Sequence, residues 1–174
     1  MDRTEISHNY SSLQFNIDDK LSKEIIDFGY SHIIYDYLYM GENDDCGRDL
    51  DPHCTILYGI ISSEAKEIRP IISKIEPFKV RFGKISFFEN DNCDVMKIEI
   101  ESERLRELNS LLKRRIDFEN HFPKYIAHCT IAYIKKGIKE NLSFDSSYFE
   151  GKEMEVRTCE FSSKDGSREI IKFK

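Results

Sequence analysis

Polar and apolar residues alternate along several short stretches of the chain, and between these stretches apolar residues recur every three to four positions. Residues 10–17 predict a first strand. Asp18 or Asp19 can then cap a helix whose apolar face is Leu21, Ile25 and Phe28. The apolar, aromatic stretch 30–40 predicts a second extended segment, and the polar stretch 41–52 (GENDDCGRDLDP) a loop. Residues 53–60 form the next strand. Ala65, Ile68, Ile72 and Ile75 keep helical spacing, and Pro70 among them predicts a kink or a break. Residues 78–88 and 95–101 predict two strands around an Asn90-Asp91-Asn92 turn, the second with Met96, Ile98 and Ile100 inward. Ser102 caps the most regular helix, with Leu105, Leu108 and Leu112 on one face. Glu103 in its first turn and Lys113, Arg114 and Arg115 in its last match the helix dipole, and Pro123 lies beyond its end. Residues 128–134 form a further strand closed by Lys135-Lys136-Gly137, and residues 155–161 and 169–173 a final hairpin around Asp165-Gly166. Strands and helices interleaved in this way predict one α+β domain over residues 1–174, with a largely antiparallel sheet and outer helices.

Composition narrows the partners. A net charge of -6 argues against coating a long nucleic acid, whose phosphates need a basic face, but is compatible with a small anionic ligand in a local pocket. No apolar run approaches the roughly 20 residues that span a membrane, and the N-terminus lacks a basic segment followed by an apolar one, so the expected compartment is the cytoplasm. The five cysteines (Cys46, Cys54, Cys93, Cys129 and Cys159) form no C-x-x-C pair and read as reduced thiols.

The chemistry is concentrated in a word written twice, His53-Cys54-Thr55-Ile56 and His128-Cys129-Thr130-Ile131, in a chain of five histidines. On a strand, side chains alternate faces, so His53 and Thr55 share one face and His128 and Thr130 share another, with both cysteines and both isoleucines turned away. Two such strands side by side bring two imidazoles and two hydroxyls to one point, a constellation of phosphate size. One neutral imidazole can take a proton from an attacking hydroxyl or water, and the other, protonated, can give one to the leaving oxygen. The threonine hydroxyls can donate to the non-bridging oxygens. Two imidazoles flanking one phosphate would titrate as an interacting pair, so acid and base are not assignable from the sequence. A metal site is disfavoured because adjacent His and Cys on a strand face opposite ways. A thiol nucleophile is disfavoured because Cys54 and Cys129 should face the core. His8, His32 and His121 lack a threonine two residues on and read as structural or surface residues.

In the longer strings PHCTILYGI and YIAHCTIAYIKKG, with FGKISFFEN between them, the chain resembles the 2H phosphoesterase superfamily, whose mark is two H-x-T/S motifs on strands. LigT-like RNA phosphodiesterases are members. The strings are more similar to the branch of phage anti-CBASS cyclic-nucleotide phosphodiesterases, which degrade the cyclic oligonucleotide signals of bacterial antiviral defence without a metal. The resemblance implies a bilobal, pseudo-twofold α+β fold with a central cleft, and neither metal nor other cofactor. It implies His53 and His128 as the acid-base pair and Thr55 and Thr130 as phosphate ligands. In that branch an N-terminal tyrosine, an aromatic residue between the motifs and a late carboxylate hold the nucleobases. Tyr10, Phe87 or Phe88, and Glu155 or Glu160 are the candidates here, and with no tryptophan in the chain any indole platform is replaced or absent.

The expected function is therefore a metal-independent phosphodiesterase opening 3',5' linkages of cyclic di- or trinucleotides, directed against CBASS defence in a host cytoplasm if the chain is viral. It would act as a monomer, without long nucleic acid or membrane. One alternative is a LigT-type phosphodiesterase for 2',3'-cyclic phosphates or 2'-5' linkages in RNA. Another, of a different class, is a module that sequesters a nucleotide without cleaving it.

Overall fold

The computed structural model describes residues 9–41 and 46–174, so His8 and part of the predicted 41–52 loop lie outside the described residues. Eight strands form one curled sheet, antiparallel throughout: β1 (Ser11–Asn16), β2 (His53–Ile60), β3 (Phe78–Glu89), β4 (Cys93–Glu101), β5 (His128–Lys135), β6 (Glu153–Val156), β7 (Thr158–Ser162) and β8 (Arg168–Lys172). Among the described residues three α-helices accompany it: α1 (Asp19–His32), the single turn α2 (Arg69–Ile72) and α3 (Glu103–Lys113). The strand order, β6-β3-β4-β5-β2-β1-β7-β8, places the two motif strands β5 and β2 at the centre with three strands on either side. The units β1-α1-β2 and β4-α3-β5 are the two copies of a pseudo-twofold repeat.

The sequence places the two long helices by their caps and apolar faces. Asp18 accepts from the Leu21 amide at 2.9 Å and Ser102 from the Leu105 amide at 3.2 Å, each cap worth about 1 kcal/mol. Leu21, Ile25 and Phe28 on α1 and Leu105, Leu108 and Leu112 on α3 are buried. Each helix reaches the other copy's motif strand at the fourth letter of HCTI. The Ile131 side chain packs under Gly29 of α1, where an added Cβ would lie 3.4 Å from its Cγ2. Buried Asn109 of α3 donates to the Ile56 carbonyl at 2.7 Å.

The seam between the halves is narrow. β2 and β5 share one register pair, Cys54 with Cys129, and beyond it the strands part. The segment leading to each motif fills the gap beside the other motif strand. Asp49 donates its amide to Ile131 O (3.0 Å) and Tyr133 to Gly47 O (2.8 Å) along β5. Glu119 donates to Gly59 O (2.8 Å) and Ile61 to Asp117 O (3.1 Å) along β2. Gly59 is what permits the second approach: its φ is 88°, and a Cβ there would stand 2.0 Å from the Glu119 carbonyl oxygen.

Three predicted elements differ. Residues 30–40 are no strand, because α1 runs on to His32 and a 3₁₀ turn covers Tyr35–Tyr37. Ile33 and Leu38 are buried while Tyr30, Ile34 and Tyr35 are exposed, so the stretch lacks alternation and local turn bonds prevail, leaving one bridge from Leu38 to Ile134. Pro70 neither kinks nor breaks a long helix. It sits in the first turn of α2, where its missing N–H has no partner to lose. Residues 155–161 divide at Arg157: β6 pairs with β3 and β7 with β1, on opposite sides of the sheet, while the β7-β8 hairpin around Asp165-Gly166 is present.

Substituting Gly59→Ala forces a side chain into the Glu119 carbonyl at a positive φ. The expected cost is about 2 kcal/mol or more, seen as a fall in Tm of roughly 4–8 °C by differential scanning calorimetry.

Candidate active site

Antiparallel pairing about Cys54 and Cys129 sets His53 across from Thr130 and Thr55 across from His128, on the face away from the helices. The two imidazoles thus stand on a diagonal, with backbones roughly 8 Å apart, and the two hydroxyls occupy the other corners. Both histidines are half-buried, and Thr130 is buried. Each ring is held in the same way: His53 Nδ1 lies 2.8 Å from Asp51 O, and His128 Nδ1 lies 2.8 Å from Ile126 O, in both cases the carbonyl two residues upstream. A carbonyl only accepts, so Nδ1 carries the proton in both rings and Nε2 is left for the cleft. A group between the two Nε2 atoms meets one imidazole on each side, the arrangement needed for in-line displacement at phosphorus.

The cysteines stand on the opposite face. Cys54 and Cys129 are buried, and burial pushes the Cys54 thiol up to about 12 and the Cys129 thiol well above its ordinary value. Tyr125, whose hydroxyl donates to Thr55 O at 2.9 Å, ties the segment leading to His128 to the first motif.

The model of the 2'-5' RNA ligase superfamily matches residues 40–143, more than half of the chain, a span that includes both motifs. The chain belongs to the 2'-5' RNA ligase superfamily. No curated protein matches it significantly by sequence. Solved structures share its fold. TT0787 of Thermus thermophilus has a TM-score of 0.65 at 12% identity, over 94% of this chain and 96% of that one. Escherichia coli LigT in complex with 3'-AMP scores 0.60 at 13% identity, over 95% of both. Kluyveromyces marxianus Usb1 with uridine monophosphate scores 0.57 at 11% identity, over 97% of this chain and 100% of that one. The resemblance to LigT-like 2H phosphoesterases holds at this level, and membership supports phosphodiester chemistry.

Around the paired motifs the two halves of the chain diverge. On β1, Asn16 stands beside His53 and Gln14 beside Thr55; on β4, Glu99 stands beside His128 and Lys97 beside Thr130. Gln14 and Asn16 donate to buried Glu160 at 3.5 and 3.3 Å, and Arg168 joins Glu160 (3.1 Å) to Asp51 (3.3 Å). Asp49 Oδ2 lies 3.8 Å from His53 Nδ1. Burial raises the Asp49 carboxyl above its ordinary range, and the neighbouring His53 opposes that rise. In the other half, burial lowers His128 below an ordinary histidine; its bond to Ile126 O opposes this, and the Lys97 and His53 charges add to it.

The proposed base-contacting residues separate into two groups. Phe88 meets His128 edge-on, with ring centroids 4.8 Å apart, and Glu160 lies in the row of Gln14 and Thr55. Tyr10 hydrogen-bonds Glu119 at 2.9 Å and packs edge-on against Tyr58, which in turn meets Phe122. Phe87 turns to Phe144 instead, against the core. Glu155 is not brought to the motifs, because the break at Arg157 carries it to edge strand β6, opposite Lys79 and ion-paired with Arg157. Sequence reasoning missed Lys97, Glu99, Asp49, Tyr58 and Phe122. Lys97 and Glu99 alternate with the inward Met96, Ile98 and Ile100, a pattern that by itself reads as a solvent-facing side of the strand. Asp49 and Phe122 arrive on loops and carry no local signal, while Tyr58 lies on β2 itself, beyond the register shift that sets Leu13 against Leu57 but Gln14 against Thr55. Among the described residues, no helix is long and apolar enough to cross a membrane.

Two-bond 1H–15N spectra should show both neutral rings as the Nδ1–H tautomer, with the His128 midpoint below that of a free histidine. Because folding disfavours the His128 imidazolium, its contribution to stability is present above the unfolded value of about 6.5 and is lost as pH falls through the lower folded value. Unfolding free energy measured across that window should decline less steeply in His128→Gln than in the parent.

Proposed function

We propose that this protein is a metal-independent phosphodiesterase that opens a 3',5' linkage in cyclic di- or trinucleotides, acting as a monomer and lowering the signal on which CBASS antiviral defence depends. The observation that carries the reading is the matched pair of imidazoles, each with Nδ1 bound to the carbonyl two residues upstream and Nε2 free for the cleft. A sequestering module needs donors for phosphate but gains nothing from two rings oriented in this way.

His128, kept neutral by burial beside Lys97, acts as the base. It takes the proton from a water or ribose hydroxyl as that oxygen bonds to phosphorus. His53, facing the Asp49 carboxylate, gives a proton to the leaving ribose oxygen as its bond to phosphorus breaks. Thr55 and Thr130 hold the non-bridging oxygens. The protein itself supplies base, acid and phosphate donors, so the balanced step needs no metal. Restriction to a small substrate is supported by the net charge of -6 and by Asp49, Asp51 and Glu160 around His53, which would repel an extended phosphate backbone. The aromatic groups Tyr10-Tyr58-Phe122 and Phe88, together with Glu160, are the proposed contacts for the bases.

A second reading, action on 2',3'-cyclic phosphates or 2'-5' linkages, draws on the superfamily's name and on the LigT complex with 3'-AMP. The two are separated by incubating the protein, in chelator, with a 3',3'-cyclic dinucleotide and separately with a 2',3'-cyclic mononucleotide, and weighing the products. The expected outcome is cleavage of the dinucleotide, reduced by roughly 10²–10⁴-fold in His53→Ala and in His128→Ala. Turnover of the mononucleotide alone would favour the second reading, and tight binding with unchanged ligand mass would favour sequestration.

A further inference from the structure

Lys97 is the most unusual charge in the molecule. It is 4% exposed, and among the described residues no carboxylate lies within 4.0 Å of its ammonium. Its protein partners are the Ser86 hydroxyl at 2.6 Å and the face of Phe88, whose centroid is 4.4 Å away. The nearest carboxylate, Glu99, is reached through Ser86, which donates to its Oε1 at 2.9 Å. An ammonium has three donors, and burying one without an adjacent counter-charge is unfavourable unless an anion completes the site. The register of β4 with β5 puts Lys97 beside Thr130, on the face that carries both imidazoles, and Phe88 links it to the His128 ring. The pseudo-equivalent position beside Thr55 is Gln14, which is neutral and already engaged with Glu160.

From this geometry we infer that Lys97 is a third ligand of the scissile phosphate, donating to a non-bridging oxygen alongside Thr130 and supplying the positive charge that the two threonines lack. The inference rests on the phosphodiesterase reading and adds a polarity to it. Phosphate negative charge is held on the His128 side, where the incoming nucleophile loses its proton, and the acidic side around His53 faces the leaving group. Burial lowers Lys97 from an ordinary lysine, with Glu99 opposing; an arriving phosphate adds to that opposition and keeps the amine charged.

The test compares the parent with Lys97→Met and Lys97→Arg, using inorganic phosphate in calorimetry and the cyclic dinucleotide in steady-state kinetics. Lys97→Met should weaken phosphate binding about tenfold or more. It should lower kcat/KM roughly 10²–10³-fold. Lys97→Arg should retain most of both. Parent-like phosphate affinity and turnover in a folded Lys97→Met would overturn the assignment while leaving the two-histidine mechanism standing. If the parent binds phosphate through Lys97 but cleaves no diester, the phosphodiesterase reading fails and the ligand assignment survives. Should Lys97→Met not fold, trace acetylation of the parent replaces it. Phosphate should slow modification of Lys97 relative to exposed Lys84, and equal rates would overturn the proposal.

Discussion

One backbone pairing governs the cleft. Cys54 and Cys129 face each other across the only register pair between β2 and β5 found among the described residues, and everything that defines the site follows from that registration. A slip of one residue by either strand would send its histidine into the core and its cysteine into the cleft, breaking the pair of imidazoles, since side chains on a strand alternate faces. The cysteines are small and fully buried, which lets two strands meet closely under the helices. The residues flanking the pair then fall on the opposite face as a rectangle of two imidazoles and two hydroxyls. The site is a consequence of registration rather than of a loop that happens to carry catalytic groups.

Within that symmetric frame the charges are arranged asymmetrically. The first half surrounds His53 with carboxylates bridged by Arg168, and the second flanks His128 with Glu99, a buried lysine and an aromatic edge. The repeated motif supplies two chemically equal imidazoles, and the neighbouring strands β1 and β4 make them unequal. Acid and base roles, which the paired motifs alone leave open, depend on residues one strand away.

Much of this was legible in the chain. The HCTI words, the alternation around them and the two helix caps follow local rules, and the strands and helices they predict are present. Where the reading failed, tertiary pairing had overridden local pattern. The stretch 155–161 looks continuous, yet Val156 and Cys159 belong to opposite sides of the sheet, and nothing local marks Arg157 as the crossing. Of the two late carboxylates that the resemblance offers, Glu155 lies before that crossing on edge strand β6, whereas Glu160, three residues past it, does reach the first motif's neighbours. Lys97 escaped notice because alternation assigns the polar face of its strand to solvent, and β4 is covered on both faces. Phe122 and Asp49 were out of reach because they lie in segments that dock against the other half's motif strand, and Tyr58 because a register shift against β1 breaks the alternation counted from His53.

That reciprocal docking makes the repeat indivisible. Residues 47–49 complete the edge of β5 and residues 117–119 complete the edge of β2, so each half supplies the missing border of the other. Cut between the copies, either piece would present an unpaired strand edge carrying its histidine, a template for association with other chains rather than a working half-enzyme. The two copies of the repeat can be neither separated nor assembled by parts.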